Sequence, residues 1–387
     1  MSPLRTSILL PVILALSLAA CQNDPDPTGI GLIPDGDVIG AERFDTALDD
    51  AQIRNSSFLE PISAAGASSL LIGDAQGYSA KSLVRWYEIA DTVGNGGRIV
   101  SASMRLFSLP GHIGDSSAAL AFTVREIRGF WSSFTVTSES LDTLDFATET
   151  SGTATAVVGG ADSVDIMLDS ALVRKWLVLM SEGRFTENYG VLLEATGGLR
   201  AFGSEDGGRA PQLTVIMENN GVLDTLQGRT IEDTYVATGP DLSPGPDISV
   251  HSGLAQRGSL FIDVSGIPGA SIVNYATLYL HIDRMRSTAN FSGADSVLIY
   301  QNYDSTENAL EGSALLTRVD ENDPDLLIAE GVTLTRAVQT WVNGKGNHGL
   351  LLSAWAENSE LERLTFFGAE ADSTRRPRLV VTYTSKP

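Results

Sequence analysis

The sequence predicts an all-β protein built from two tandem antiparallel β-sandwich domains, each with one short helix. Three observations lead there. The chain of 387 residues repeats itself block by block across its two halves. Within each half the apolar residues recur at every second position, the period of a half-buried strand. Gly, Pro, Asn and Asp interrupt these runs where turns belong. Hydrophobic residues make up 43 % of the chain, enough to fill one or two cores, and the length favours two domains.

The first element is a targeting segment. Arg5 supplies a minimal positive region, and Ser7 to Ala20 is a mostly apolar run too short to span a bilayer. It ends in Leu18-Ala19-Ala20-Cys21, which resembles a bacterial lipoprotein signal. The resemblance implies a signal peptide over 1–20, removed to leave Cys21 as the lipidated first residue. Gln22 rather than Asp follows it, which in that family points to sorting to the outer membrane, on its periplasmic or cell-surface face. Two or more acyl chains on one residue hold durably where one does not. Residues 21–49 read as the lipidated Cys and a tether, since Gln22 to Pro27 is polar and kept extended by its prolines. Attachment to the membrane is expected through this anchor alone, because no later run is long and apolar enough to span.

The tandem repeat places a first unit at 50–218 and a second at 228–385. Its matching blocks keep their order. Ser82-Leu83-Val84 pairs with Ser259-Leu260-Phe261, and Ile99 to Leu106 with Ile272 to Tyr279. Asn188-Tyr189-Gly190 matches Asn347-His348-Gly349, Phe202-Gly203-Ser204-Glu205 matches Phe367-Gly368-Ala369-Glu370, and Pro211 to Val215 matches Pro377 to Val381. The linker is expected from Glu218 through the turn-forming Asn220-Gly221. Ala276, Leu278, Leu280 and Ile282 are expected to face one way and Thr277, Tyr279, His281 and Asp283 the other. Leu213, Val215 and Met217 alternate in the same manner. One helix per unit carries Trp176 or Trp341 on its apolar stripe, where each plugs a core. Asp169 or Ser170, and Thr335, sit where an N-cap belongs.

The second unit runs Asp233-Thr234-Tyr235-Val236, Ser259 to Asp263, Ala276 to Leu280, Trp341, Asn347 to Leu352, Phe367 with Glu370, and Pro377 to Tyr383. This order resembles the DNRLRE-type domain, a jelly-roll carbohydrate-binding module of secreted polysaccharide-active proteins. The resemblance covers 228–385 well and 55–217 less well. The first unit has Ser57-Phe58-Leu59 in place of Thr234-Tyr235-Val236 and lacks the Asp, and it has Trp86 where the second has Asp263. The family's mid-domain Trp corresponds to Trp131, with no counterpart in the second unit.

Composition narrows function further. With 26 Lys+Arg against 48 Asp+Glu, the formal charge is −22, which disfavours nucleic acid as a partner. One Cys excludes a disulfide framework and any Cys-cluster zinc site. No nucleophile motif, zinc-peptidase motif or phosphate loop occurs, so no catalytic residue is expected. Glu205 and Glu370, with Asp206 and Asp372, are candidate oxygen ligands for calcium, against a structural pairing of each Glu with Arg209 or Arg376. No other cofactor is implied. Sugar stacking needs an exposed ring beside polar groups, and Trp131, Tyr300, Tyr303 and Trp355 are the candidates, each against ordinary loop packing. The expected function is a non-catalytic, lipid-anchored envelope protein that binds polysaccharide. The alternative is a structural or protein-binding cell-surface lipoprotein whose partner is another envelope protein.

Overall fold

The computed structural model describes residues 40–89, 97–158, 162–240, 245–288, 296–304, 308–355 and 357–385. The expected signal peptide, Cys21 and most of the tether lie outside them. Strands take 49 % and helices 9 %, so the protein is all-β. Strands β1 (Glu42–Asp45), β2 (Ile53–Leu59), β3 (Ser69–Ala75), β4 (Tyr78–Ile89), β5 (Arg98–Ile113) and β6 (Ala119–Glu126) come first. A one-turn helix α1 (Ser138–Leu141) follows, then β7 (Gly152–Val157), β8 (Ser163–Leu168) and helix α2 (Ser170–Ser181). Next are β9 (Val191–Thr196), β10 (Gly198–Gly203), β11 (Gln212–Asn219) and the long β12 (Val222–Thr238). The C-terminal half holds β13 (Ile248–His251), β14 (Gln256–Ile262), β15 (Ile272–His281), β16 (Val297–Gln301), β17 (Leu315–Leu316), β18 (Arg318–Val319) and β19 (Leu326–Glu330). Helix α3 (Val332–Val342), β20 (Leu350–Ala354), β21 (Arg363–Phe366) and β22 (Arg378–Thr384) complete it.

The period of two sets the cores. Leu213, Val215 and Met217 of β11 are buried in the first core, together with Trp86, Met104, Ile166 and Trp176. Ala276, Leu278 and Leu280 of β15 join Leu260, Leu350, Phe366, Leu379 and Trp341 in the second. Both helix tryptophans are core residues, Trp176 1 % exposed and Trp341 6 %. Asp169 caps α2 by accepting from the Ala171 amide at 2.8 Å. The α3 cap differs from expectation: the helix begins after Gly331, and the Thr335 hydroxyl instead accepts from the Ala276 amide at 3.2 Å.

In the first half, β4, β12, β11, β5, β8, β7, β6 and β9 follow one another, and β9 pairs back with β4, closing an eight-stranded barrel. β4 makes this possible by pairing with β12 along one edge and with β3 and then β9 along the other. The second core lies between a five-stranded sheet, β1-β22-β15-β19-β18, and a seven-stranded sheet that includes β16-β20-β14-β13-β21 and β2.

The strand pairing crosses the expected unit boundaries in both directions. β12 pairs with β11 and β4 of the first half, whereas β1 pairs with β22 and β2 with β14 of the second. Units at 50–218 and 228–385 therefore do not each hold their own strands, and the end of the expected 21–49 tether is instead strand β1, paired in the second sheet. The expected linker is a tight hairpin turn: Asn220 (φ 52°) and Gly221 (φ 82°) join β11 to β12, with Asn219 opposite Val222. Two successive positive φ values give the turn whose twist matches its flanking strands, and Asn-Gly supplies them at least cost. The register also moves the repeat alignment by one residue. Leu83 faces Leu192 as Ser259 faces Leu351, so Leu83 corresponds to Ser259 and Val84 to Leu260. Asp233 opposite Val84 then corresponds to Asn55 opposite Leu260, so the first repeat carries Asn55 at the position where the second has its Asp.

The halves share a third apolar cluster, in which Leu361 packs with Leu71, Tyr78, Leu199 and Tyr235. Beside it, Tyr78 and the fully buried His251 stack with ring centroids 5.5 Å apart, and His251 Nε2 lies 3.0 Å from the Tyr78 hydroxyl.

Candidate functional site

One row of outward-facing residues crosses each half at the same place. In the second half it reads Ser56, Ser259, Leu351 and Tyr300, on β2, β14, β20 and β16. In the first it reads Thr234, Leu83, Leu192 and Arg125, on β12, β4, β9 and β6. The first row is covered. Ile127, Trp131, Val136 and Leu141, from the segment after β6, pack on Leu83, Leu192 and Val236. Trp131 is 2 % exposed and donates from its indole to the Tyr189 carbonyl at 2.8 Å, with the Arg85 guanidinium 5.4 Å from its ring centre. Trp131 is thus corrected from an exposed stacking ring to the plug of this face.

Among the described residues, no apolar cluster of that kind packs on the second row, although its Leu351 is fully buried while Ser259 and Tyr300 are half-buried. Ser259 stands where Leu83 does, and the half-buried rings of Phe58, Phe261 and Tyr300 lie around it. The Arg54 guanidinium sits over the Phe261 ring at 4.2 Å. Arg257, beside Phe58 in the register, makes a bidentate pair with Glu357 at 2.8 and 2.9 Å, and the Ser353 hydroxyl donates to Glu357 at 3.0 Å. Burial works against the Arg257 charge, and the Glu357 carboxylate more than offsets it, so the guanidinium stays protonated. Tyr303 is 56 % exposed just beyond β16, and Trp355, the first residue past β20, is 58 % exposed. They lie at opposite ends of the β16–β20 pair, so they do not form one platform with each other. Phe58 and Phe261 escape a search for aromatics in irregular segments because they sit in strands. The available signal is alternation, which puts them on the side opposite Leu260 and Ile262. The face offers flat rings, hydroxyls and a fixed ion pair, the groups that hold a sugar ring by stacking and hydrogen bonding.

The carboxylate candidates are separate from this face. Among the described residues no three His, Cys, Asp or Glu side chains converge to hold a metal ion. Glu205 and Asp206 are exposed, and the Glu205 amide donates to buried Asp233 at 2.8 Å. Asp372 closes a local turn: the Thr374 hydroxyl, then Arg375 at 2.8 Å and the Thr374 amide at 3.1 Å, donate to its carboxyl and hold it down at about 2. Exposed Glu370 lines an open cleft with Phe367, Asp372 and Arg375. The expected Glu–Arg pairs do not form: Arg209 lies over the Phe107 ring at 5.2 Å, and Arg376 donates to the Thr46 carbonyl at 2.9 Å. Asn188 and Asn347 make their turns as expected, each accepting from the amide two residues on at 3.0 Å. Gly190 holds φ 75°, and a Cβ there would meet the Val84 carbonyl oxygen at 2.0 Å.

Three buried titratable groups among the described residues carry strongly shifted pKa values, and burial raises the Tyr235 hydroxyl far above its ordinary range. Burial pushes Asp233 up to about 7, aided by the neighbouring Asp206 and Glu205 charges and opposed by its bond from the Glu205 amide. Burial pushes His251 down to about 4. Among the described residues no helix is long and apolar enough to cross a membrane.

No family model matches the chain, and no curated protein matches it. Among solved structures, a chain in the structure of infectious bursal disease virus, Gx strain, aligns over 91 % of this chain and 78 % of its own at 12 % identity, with a TM-score of 0.10. A score that low carries no argument about fold or function.

Proposed function

We propose that this chain is a non-catalytic, lipid-anchored envelope protein that binds polysaccharide through the open face of its C-terminal half. Each half is read as a jelly-roll-like sandwich module of the DNRLRE type, completed by the opening strands of the other repeat. Cys21 carries the lipid, and the outer membrane is the expected site. The observation that carries the reading is the contrast between the halves. The same face is sealed by Trp131 in one half. In the other it carries Ser259 with the half-buried rings of Phe58, Phe261 and Tyr300. An unneeded face is usually closed by apolar packing, as the first half does.

The test is a glycan array probed with the chain from Thr28 onward, followed by Tyr300→Ala and Phe261→Ala. Binding that both variants lose, with their thermal unfolding cooperative, supports the face. Glycan binding that neither variant changes removes the face from the proposal. No glycan bound at any position favours the alternative, a cell-surface lipoprotein that contacts other envelope proteins.

A further inference from the structure

The two repeats complete each other. By register the first repeat starts at β1, inside the expected tether, and the second at β12, inside the expected linker: residues 222–238 fill an acceptor in the first half, and residues 42–59 fill the matching acceptor in the second. The acceptors are equivalent by register, so the structure shows what the second acceptor takes: an extended segment presenting an apolar residue, a carboxylate and an amide in order. Phe44 enters the core at 4 % exposure. Asp45, 1 % exposed, receives Arg378 at 2.8 and 2.5 Å. The Asn55 side chain accepts from the Ala369 amide at 2.7 Å and donates to the Pro246 carbonyl at 3.0 Å.

The covalent route differs between the two donors. β12 continues directly from the β11 hairpin, so its delivery to the first half is forced within the chain. The 42–59 segment is joined to the first half only through the stretch between Leu59 and Ser69. That stretch rests on the second half through the Glu60 amide to the Ala255 carbonyl, 3.0 Å, and the Asn358 side chain to the Ala65 carbonyl, 2.8 Å. Nothing in these contacts requires the second half to belong to the same chain.

We infer that the acceptor between β22 and β14 is a strand-binding site that takes the 42–59 segment of a second copy when two chains fold together, giving an interlocked dimer. This inference stands apart from the glycan reading. Short links give effective concentrations on the order of mM, so the intramolecular arrangement dominates in dilute solution and exchange between copies needs comparable crowding during folding.

The test co-refolds two single-cysteine chains in a Cys21→Ser background, one with Arg43→Cys and the other with Thr382→Cys. These positions are direct cross-strand partners in β1 and β22. Facing residues lie at about 4.5–5.5 Å between Cα atoms, within disulfide reach. Chance oxidation joins the chains as 43–43, 382–382 and 43–382 species alike, so an excess of the 43–382 disulfide over the other two, identified by peptide mapping, marks the exchanged dimer. The expected result is an excess of the 43–382 species that rises at least tenfold as total protein increases from about 1 μM toward 1 mM during refolding. A flat trace amount across that range overturns the inference. A chain carrying both substitutions reports folding independently, since a monomeric 43–382 disulfide shows that β1 is docked. Docked monomer with no mixed-chain disulfide at the highest concentration also overturns it.

Discussion

Asp233→Asn should stabilise the protein, and by an amount that depends on pH. Asp233 lies on β12, 5 % exposed, where its carboxylate meets the Glu205 amide. Its pKa stands at about 7 against an ordinary 3.8, mainly through burial. The sign follows from linkage. An acid whose folded pKa is raised gives up stability as pH rises, from full strength below about 4 to its loss above about 7. At 1.36 kcal/mol per pH unit, the difference amounts to ~4 kcal/mol at the alkaline end. Asparagine removes the charge and keeps an oxygen that accepts from the Glu205 amide. The equivalent Asn55 already does this in the other half, taking the Ala369 amide at 2.7 Å.

His251 makes the assay sharper. Its folded pKa of about 4 lies below the ordinary 6.5, because burial favours the neutral ring. Stability from this group is present above about 6.5 and lost as pH falls toward 4. Asp233 and His251 therefore oppose each other over nearly the same window, and their contributions to the wild-type curve largely cancel. Urea unfolding at pH 4, 5.5, 7 and 8 should show the gap between variant and wild type opening from near zero to a few kcal/mol. The variant alone should gain stability steeply between pH 4 and 6.5 from His251. A constant gap at all four pH values would refute the reasoning, because it would mean that Asp233 is charged throughout in the fold.

The remaining predictions test packing, closure and anchoring. A fragment of residues 69–240 contains all strands from β3 to β12 and should unfold cooperatively, whereas 228–385 lacks β1 and β2 and should not; circular dichroism melts distinguish them. Trp341→Ala should cost roughly 3–5 kcal/mol by chemical denaturation, and Trp131→Ala should cost a comparable amount, because that ring fills an outer cluster and bonds the Tyr189 carbonyl. Trp355→Ala, at an exposed position, should stay within about 0.5 kcal/mol of wild type. Cys21→Ser should abolish incorporation of labelled fatty acid in cells, and label retained by the variant would sink the anchoring argument.

The strands were legible because their physics is local. Leu213, Val215 and Met217 alternate visibly, and the core follows from that alternation. The exchange was not legible, for a definite reason. Internal similarity shows that 42–59 and 222–238 are equivalent donors, but two equivalent acceptors bind equivalent donors equally well on paper. Which donor meets which acceptor is decided by chain connectivity, here by the Asn220-Gly221 hairpin that folds β12 back onto β11. Read as a linker, that dipeptide hides the exchange. Trp131 misled because its segment has no clean period, yet irregular backbone can still deliver a large ring onto an apolar face. The open face was half visible: Tyr300 was identified, while Phe58 and Phe261 needed the register of β2 against β14 to be placed beside it.

The polar groups on the closing segment explain how a repeat with two interchangeable acceptors reaches one register. A strand of period two can slip by two residues and still present its apolar side inward, so alternation alone leaves the pairing of β1 with β22 degenerate. Asp45 removes the degeneracy. At 1 % exposure it is satisfied by the Arg378 fork and by Arg43 at 2.9 Å. The Arg378 guanidinium, with the bond it donates as the largest influence, holds the Asp45 pKa below its ordinary value. A slip of two residues that sets Asp45 opposite Thr382 instead of Val380 carries this carboxylate away from Arg378 and leaves a buried charge without its partner, a loss of about 3–5 kcal/mol. Asn55 acts likewise on β2 through the Ala369 amide, and Asp233 on β12 through the Glu205 amide. Apolar residues make the donors stick, and one polar clasp near each acceptor makes them stick in a single place. The clasp on β12 is a carboxylate poised near neutrality rather than an amide, so β12 closes the first half with a pH dependence near neutrality that the Asn55 clasp on β2 lacks.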